Sequence, residues 1–207
     1  MAAYIHFIKL CPEDKALFER ICEMYQQVIP ASERKSILKL GAMLSRRDYC
    51  LIGAQDEEGR IIAFAVMFMG KGVRLLEYLG VEGSRQKRGI GREVFQYCAT
   101  IGEGPMVIEV EREDLAGVDQ VVRAGRVEFY RRLGCRRIEG LEYQLPLLGE
   151  VPPMRLFVQG VGGRESLGLE EVRGYLRTIY REVYGQSEDD PRIEEMLRGV
   201  KNPVLLG

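Results

Sequence analysis

The sequence predicts an α/β fold: a mixed central sheet of about seven strands with helices on its faces, followed by a helical C-terminal extension. Three observations carry this. Short runs rich in Val, Ile and Phe alternate with segments whose apolar residues recur three and four apart. Late in the chain that alternation stops and two strands come together. Beyond residue 160 the pattern is helical.

The elements follow in order. "YIHFIKL" reads as a strand. "PEDKALFERICEMYQQVI" opens on Pro and acids, then sets Leu17, Ile21, Met24 and Val28 at helical spacing. A second helix is expected from "PASERKSILKLGAML", with Ser32 at its start as the cap. "DYCLIGAQ" and "RIIAFAVMFMG" are strands joined by the turn "DEEG", and "GVRLLEYLGV" is a fourth. A helix running through Ile101 follows "SRQKRGIGREVF". "PMVIEVE" is the fifth strand, "VDQVVRAGRVEFYRRLG" a helix stopped by Gly134, and "CRRIEGLEYQLPLL" and "PMRLFVQG" the last two strands. In "GLEEVRGYLRTIYREVYG", Leu169, Val172, Leu176, Ile179 and Val183 form one apolar stripe. That stripe fits docking on its own domain, and a homodimer seam is the alternative.

Composition narrows the function. The 207 residues are 46% hydrophobic and 29% charged, with a net charge of −1, the balance of a soluble globular protein. A global attraction to nucleic acid or anionic membrane is not expected. Five cysteines with no CxxC pair argue against a disulfide framework or structural zinc, and a cytoplasmic, reduced protein is expected. Cys50 and Cys98 sit in apolar patterns and read as packing residues. The single histidine, His6, stands far from any motif and reads as structural, so no metal site is expected.

The stretch "QKRGIG" carries the chemistry. A strand, then Q-x-x-G-x-G, then a helix makes an anion cradle, because first-turn N–H groups are unpaired and the helix dipole is positive there. Gly89 and Gly91 let the backbone approach a diphosphate, and Arg85, Lys87, Arg88 and Arg92 can reach outer phosphates. A Walker A loop needs a Gly-Lys-Ser/Thr that is absent. A dinucleotide fingerprint needs a third Gly or Ala where Val94 stands.

Three motifs in order, over residues 1–160, resemble the GCN5-related N-acetyltransferase (GNAT) superfamily. "LEYLGV" looks like that family's fourth strand, "QKRGIG" like its diphosphate loop, and "RVEFYRRLGCRRI" like its late tyrosine motif. The resemblance implies a mostly antiparallel sheet, a catalytic domain over 1–160 and an appended helical extension over 161–207. It implies acetyl transfer from acetyl-CoA, as co-substrate and without a metal, to a primary amine of a small molecule or peptide. Leu79, Gly80 and Val81 would pair with the pantetheine arm. Gln86, Lys87, Arg88, Gly89, Ile90, Gly91 and Arg92 would hold the diphosphate.

Attack on a thioester needs a neutral amine, so a base must take a proton and the leaving thiolate must be stabilised. Tyr130 matches the motif tyrosine and is the expected acid, with Phe129 beside it as core. Glu109 in "VIEVE" is the preferred base, with Glu77 on the fourth strand as partner or alternate. An acid within an apolar strand is costly unless paired or functional. Glu111 points the same way as Glu109 by alternation.

The sequence departs from the family motif at Arg123 and Arg126, where Asn and Ala are usual, and at Cys135, usually Phe. The segment 112–122 is longer than usual and is expected to shape the acceptor pocket. Glu33 and Arg34 fall where that family's acceptor site lies, but a capped helix start explains them as well. Tyr143 on the expected sixth strand reads as an ordinary sheet tyrosine, with a place facing the acceptor as the alternative. The competing function is a non-catalytic acyl-CoA-binding regulator on the same fold.

Overall fold

The computed structural model describes residues 4–115, 117, 119–147 and 151–207. Seven strands join one sheet in the order β1-β2-β3-β4-β5-β7-β6. They are β1 (His6–Lys9), β2 (Tyr49–Gln55), β3 (Ile61–Met69), β4 (Arg74–Val81), β5 (Met106–Glu111), β6 (Arg136–Arg137) and β7 (Met154–Gln159). The pairs β1–β2, β2–β3, β5–β7 and β6–β7 are antiparallel. The chain divides into two compact units, one of Met1–Met69 with Leu76–Gly102 and one of Gly70–Leu75 with Glu103–Gly207.

The first unit holds β1 to β3, the larger part of β4, and three helices: α1 (Lys15–Val28), α2 (Ile37–Leu44) and α3 (Ile90–Thr100). β3 is buried along Ile61–Phe68, which is why its sequence is a continuous apolar run rather than an alternation. The β2–β3 turn forms as its sequence requires. The Asp56 carboxylate accepts from the N–H groups of Glu58 and Arg60, and Gly59 takes φ 76°. α1 buries Ile21, Met24 and Tyr25. The second helix starts later than expected. Residues Ala31–Glu33 form a 3-10 turn, α2 begins at Ile37, and the cap is Ser36, whose hydroxyl accepts from the Lys39 N–H.

The second unit holds β5 to β7, α4 (Gln120–Arg132), a small antiparallel sheet of β8 (Ser166–Leu167) and β9 (Val204–Leu205), and the helices α5 (Leu169–Glu182) and α6 (Pro191–Leu197). α4 ends as expected: Gly134 is left-handed at φ 79°, and the Cys135 N–H returns to the Tyr130 carbonyl at 3.0 Å. The expected sixth strand is cut short. Only Arg136 and Arg137 pair in β6, Gly140 turns left-handed, and Tyr143 makes an isolated bridge to Met154. The end of that expected strand, at Leu148, lies outside the described residues. Of the expected stripe, Val172, Leu176 and Ile179 on α5 are wholly buried and joined by Tyr175 and Tyr180, while Leu169 and Val183 are half-buried. The Tyr180 hydroxyl donates to the Gln144 carbonyl at 2.5 Å.

Candidate active site

The expected diphosphate loop lies in the first unit. After β4 a 3-10 turn over Gly83–Arg85 leads to α3, whose N-cap is Gly89 at φ 86° with no side-chain cap. The first-turn N–H groups are therefore left for an outside acceptor. Lys87, at φ 62°, is the one non-glycine residue with positive φ among the described residues. Two left-handed residues this close bend the backbone into the kind of concave turn whose N–H groups bind anions. A Cβ built on Gly89 would meet nothing within 4 Å, so that glycine answers to backbone conformation and open space, not to packing. Lys87, Arg88 and Arg92 are exposed, and no ion-pair partner is found for them among the described residues. Arg85 differs. It reaches Asp56 at 3.3 Å and Glu82 at 3.8 Å, while the Gln86 amide donates to the Val81 carbonyl at 3.2 Å. Both stiffen the loop.

Gly80 has a separate reason to be glycine. A Cβ there would lie 2.4 Å from the ring of Phe64 and 2.7 Å from Val28. Leu79 and Val81, its neighbours on β4, are half-buried. Glu77 lies two residues earlier and its side chain is only 3% exposed. One oxygen meets the Lys35 ammonium and the other accepts from the Tyr49 hydroxyl. Burial, with the Glu77 carboxylate adding to it, pushes the Tyr49 phenol far above its ordinary range. Burial does the same to Tyr78, whose hydroxyl donates to the Glu33 carbonyl at 2.9 Å. Arg34 donates to the Gln26 carbonyl at 2.8 Å near the end of α1.

In the second unit Glu109 projects from β5 between two phenols. Tyr143 donates to Oε1, and Tyr184 donates to Oε2 at 2.6 Å. Tyr143 is wholly buried, so burial first, and the carboxylate second, hold its proton on. Glu111 faces Arg126 on α4 at 3.6 Å. Arg123 donates to the Leu115 carbonyl at 2.6 Å and ties the 112–119 segment to α4; Ala116 and Val118 of that segment lie outside the described residues. Two of the three departures from the family motif, Arg123 and Arg126, thus act as tethers. Tyr130 is half-buried on α4, its ring edge-on to Phe129 at 5.1 Å.

No family model matches the sequence, and no curated protein does. Solved structures do. A GNAT-family acetyltransferase from Bacteroides thetaiotaomicron superposes with a TM-score of 0.72 at 21% identity, over 87% of this chain and 98% of that one. The chain has the GCN5-related N-acetyltransferase fold. Other GNAT enzymes agree. The ribosomal-protein-S18-alanine N-acetyltransferase of Escherichia coli matches at TM-score 0.58 and 14% identity, over 78% of this chain and 99% of that one. Arabidopsis thaliana NAA60 in complex with acetyl-CoA matches at 0.58 and 18%, over 77% of this chain and all of that one.

On this GNAT fold, residues 86–89 lie in the connection from β4 to α3 and residues 90–92 form the first turn of α3. Glu77 lies in the first unit; Glu109 and Tyr130 lie in the second. Sequence reasoning missed Lys35, Tyr49 and Tyr184 as partners of the two acids. The available signal was ten tyrosines beside a single histidine, since buried carboxylates must find donors somewhere.

Proposed function

We propose that the chain is an acetyl-CoA-dependent N-acetyltransferase acting on a primary amine of a small molecule or peptide. The observation that carries this is the α3 start: a left-handed Gly89 cap without a side chain, open space before it, and exposed Lys87, Arg88 and Arg92 around it. Residues 87–92 would hold the diphosphate through backbone N–H groups. The edge of Leu79, Gly80 and Val81 would take the pantetheine arm, and the bound cofactor supplies the acyl group as a thioester.

The chain's own residues do the rest. Glu109 takes the proton of the attacking amine, directly or through a water, and Tyr130 gives a proton to the departing sulfur. Tyr143 and Tyr184 keep the Glu109 carboxylate oriented. Glu77 supports the site or serves as the alternate base. Glu77 faces Lys35 and Glu111 faces Arg126, so neither is an uncommitted charge waiting for a cationic acceptor. The reading therefore commits to an amine without committing to a polycation.

One observation favours the binding-only alternative: both candidate bases already accept from two donors each. A panel of amines and peptide N-termini with acetyl-CoA, read by release of free CoA thiol, separates the two. Turnover on any member, abolished in Glu109→Gln and less affected in Glu77→Gln, supports the enzyme and this order of bases. CoA binding with no thiol release across the panel supports the regulator. Loss confined to Glu77→Gln moves the base to β4.

A further inference from the structure

The connection between α1 and α2 holds an amine that the proposed reaction does not use. The Lys35 N–H donates to the Tyr25 hydroxyl at 2.7 Å, which fixes the backbone. From there the side chain reaches Glu77, with its nitrogen 5.9 Å from the centre of the Tyr78 ring. It is 17% exposed and the Glu77 carboxyl 3%. A primary amine is thus held in one place, against a carboxylate, with little water around either.

Its place along β4 gives this meaning. With the diphosphate at residues 87–92, beyond the end of β4, the pantetheine arm runs back past Val81 and Leu79. Glu77 lies on the same strand two residues before Leu79, a step of about 7 Å along β4. An arm that continues by that step would bring its acyl end to the stretch of β4 where Glu77 holds the Lys35 nitrogen.

We propose that Lys35 is a self-acetylation site, taking its acetyl group from the chain's own bound acetyl-CoA; this rests on the acetyl-CoA reading above. The Lys35 ammonium passes a proton to the Glu77 carboxylate that it touches. The freed nitrogen attacks the thioester carbonyl carbon. The N–C bond forms, the C–S bond breaks, and sulfur keeps the electron pair. Of the three ammonium protons, one stays on the amide nitrogen, one leaves through Glu77, and one ends on the CoA sulfur. The product is a neutral amide. Glu77 then keeps Tyr49 but loses its cation, and becomes open to the ammonium of an external amine. Modification of Lys35 is in that sense a switch on the same site.

The test is incubation of the full chain with isotopically labelled acetyl-CoA, followed by intact mass and peptide mapping. One labelled acetyl on Lys35, stable to hydroxylamine and forming at a rate independent of protein concentration, is the expected result. Lys35→Arg, which keeps a cation on Glu77, should take no label in that peptide. Glu77→Gln should slow labelling of Lys35 by about 100-fold, the usual loss of a proton acceptor. Label spread over exposed lysines such as Lys39 and Lys71 with Lys35 unmodified, in protein that binds CoA by calorimetry, overturns the proposal. Absence of CoA binding in the same calorimetry sinks the acetyl-CoA reading and this inference with it.

Discussion

Tyr184 donates its hydroxyl to Glu109 at 2.6 Å across a sequence separation of 75 residues. The helical segment that follows the sheet thereby touches the acid on β5 that the proposed chemistry uses. Tyr184→Phe deletes one donor to that carboxylate. We expect a lower kcat with unchanged CoA affinity, and an acid limb of kcat/KM moved to higher pH, because a donor to a carboxylate favours its charged form. A merely structural tyrosine would leave the pH profile in place. An unmoved limb in a folded variant removes Tyr184 from the site.

Gly89→Val should weaken CoA binding by about 2 kcal/mol or more, through left-handed strain and a side chain in the anion's space. Isothermal titration against the wild type checks it. The left-handed backbone, φ 86°, strains a β-branched residue whatever the space around it, so thermal stability should fall too and affinity is compared on folded protein. Unchanged affinity would remove the diphosphate from this loop.

Tyr130→Phe should preserve CoA binding and lower kcat by about 100-fold, the usual cost of losing a general acid. Full turnover on the true acceptor would leave Tyr130 as the packing partner of Phe129.

Gly80→Ala should destabilise the chain by about 1–3 kcal/mol, because the rings and branches it meets have no room to yield. Phe64 is wholly buried and its ring lies 2.4 Å from the added carbon. Denaturant unfolding measures this directly, and a neutral result would mean that β4 shifts to make room.

Alkaline pH should unfold the chain through its phenols. Burial raises the Tyr49, Tyr78 and Tyr143 hydroxyls above the ordinary tyrosine value of about 10. A group that holds its proton more tightly when folded contributes stability that is fully present below its unfolded value. That contribution is lost as pH rises from about 10 through the folded values. Phenolate absorbance during titration should therefore show a resistant set of tyrosines that ionise only as the fold is lost. Smooth ionisation of all ten near the ordinary value would contradict it.

The elements that were legible were those that declare themselves locally. The Asp56–Gly59 turn, the Gly134 stop and the Gly89 loop each need a residue type that sequence shows directly. The α5 stripe at Val172, Leu176 and Ile179 showed its spacing and only the structure gave its destination. What stayed hidden depends on distant pairing. β8 and β9 have two residues each, too few for any alternation, and the start of α2 moved because Ser36, not Ser32, precedes its first full turn. The partners of Glu77 and Glu109 come from separations of 28 to 75 residues, which no local pattern encodes.

Five unbridged cysteines leave this chain with one thiol for a reagent to find. Cys11 is exposed ahead of α1, whereas Cys22, Cys50, Cys98 and Cys135 are buried. Burial, with Glu19 adding, pushes Cys22 up to about 11, and burial alone pushes Cys135 up to about 12, so neither offers thiolate near neutral pH. A maleimide dye should therefore mark the native fold at a single position. Removal of Cys11 should leave a chain nearly silent to disulfide reagents, against which each CoA set free can be counted.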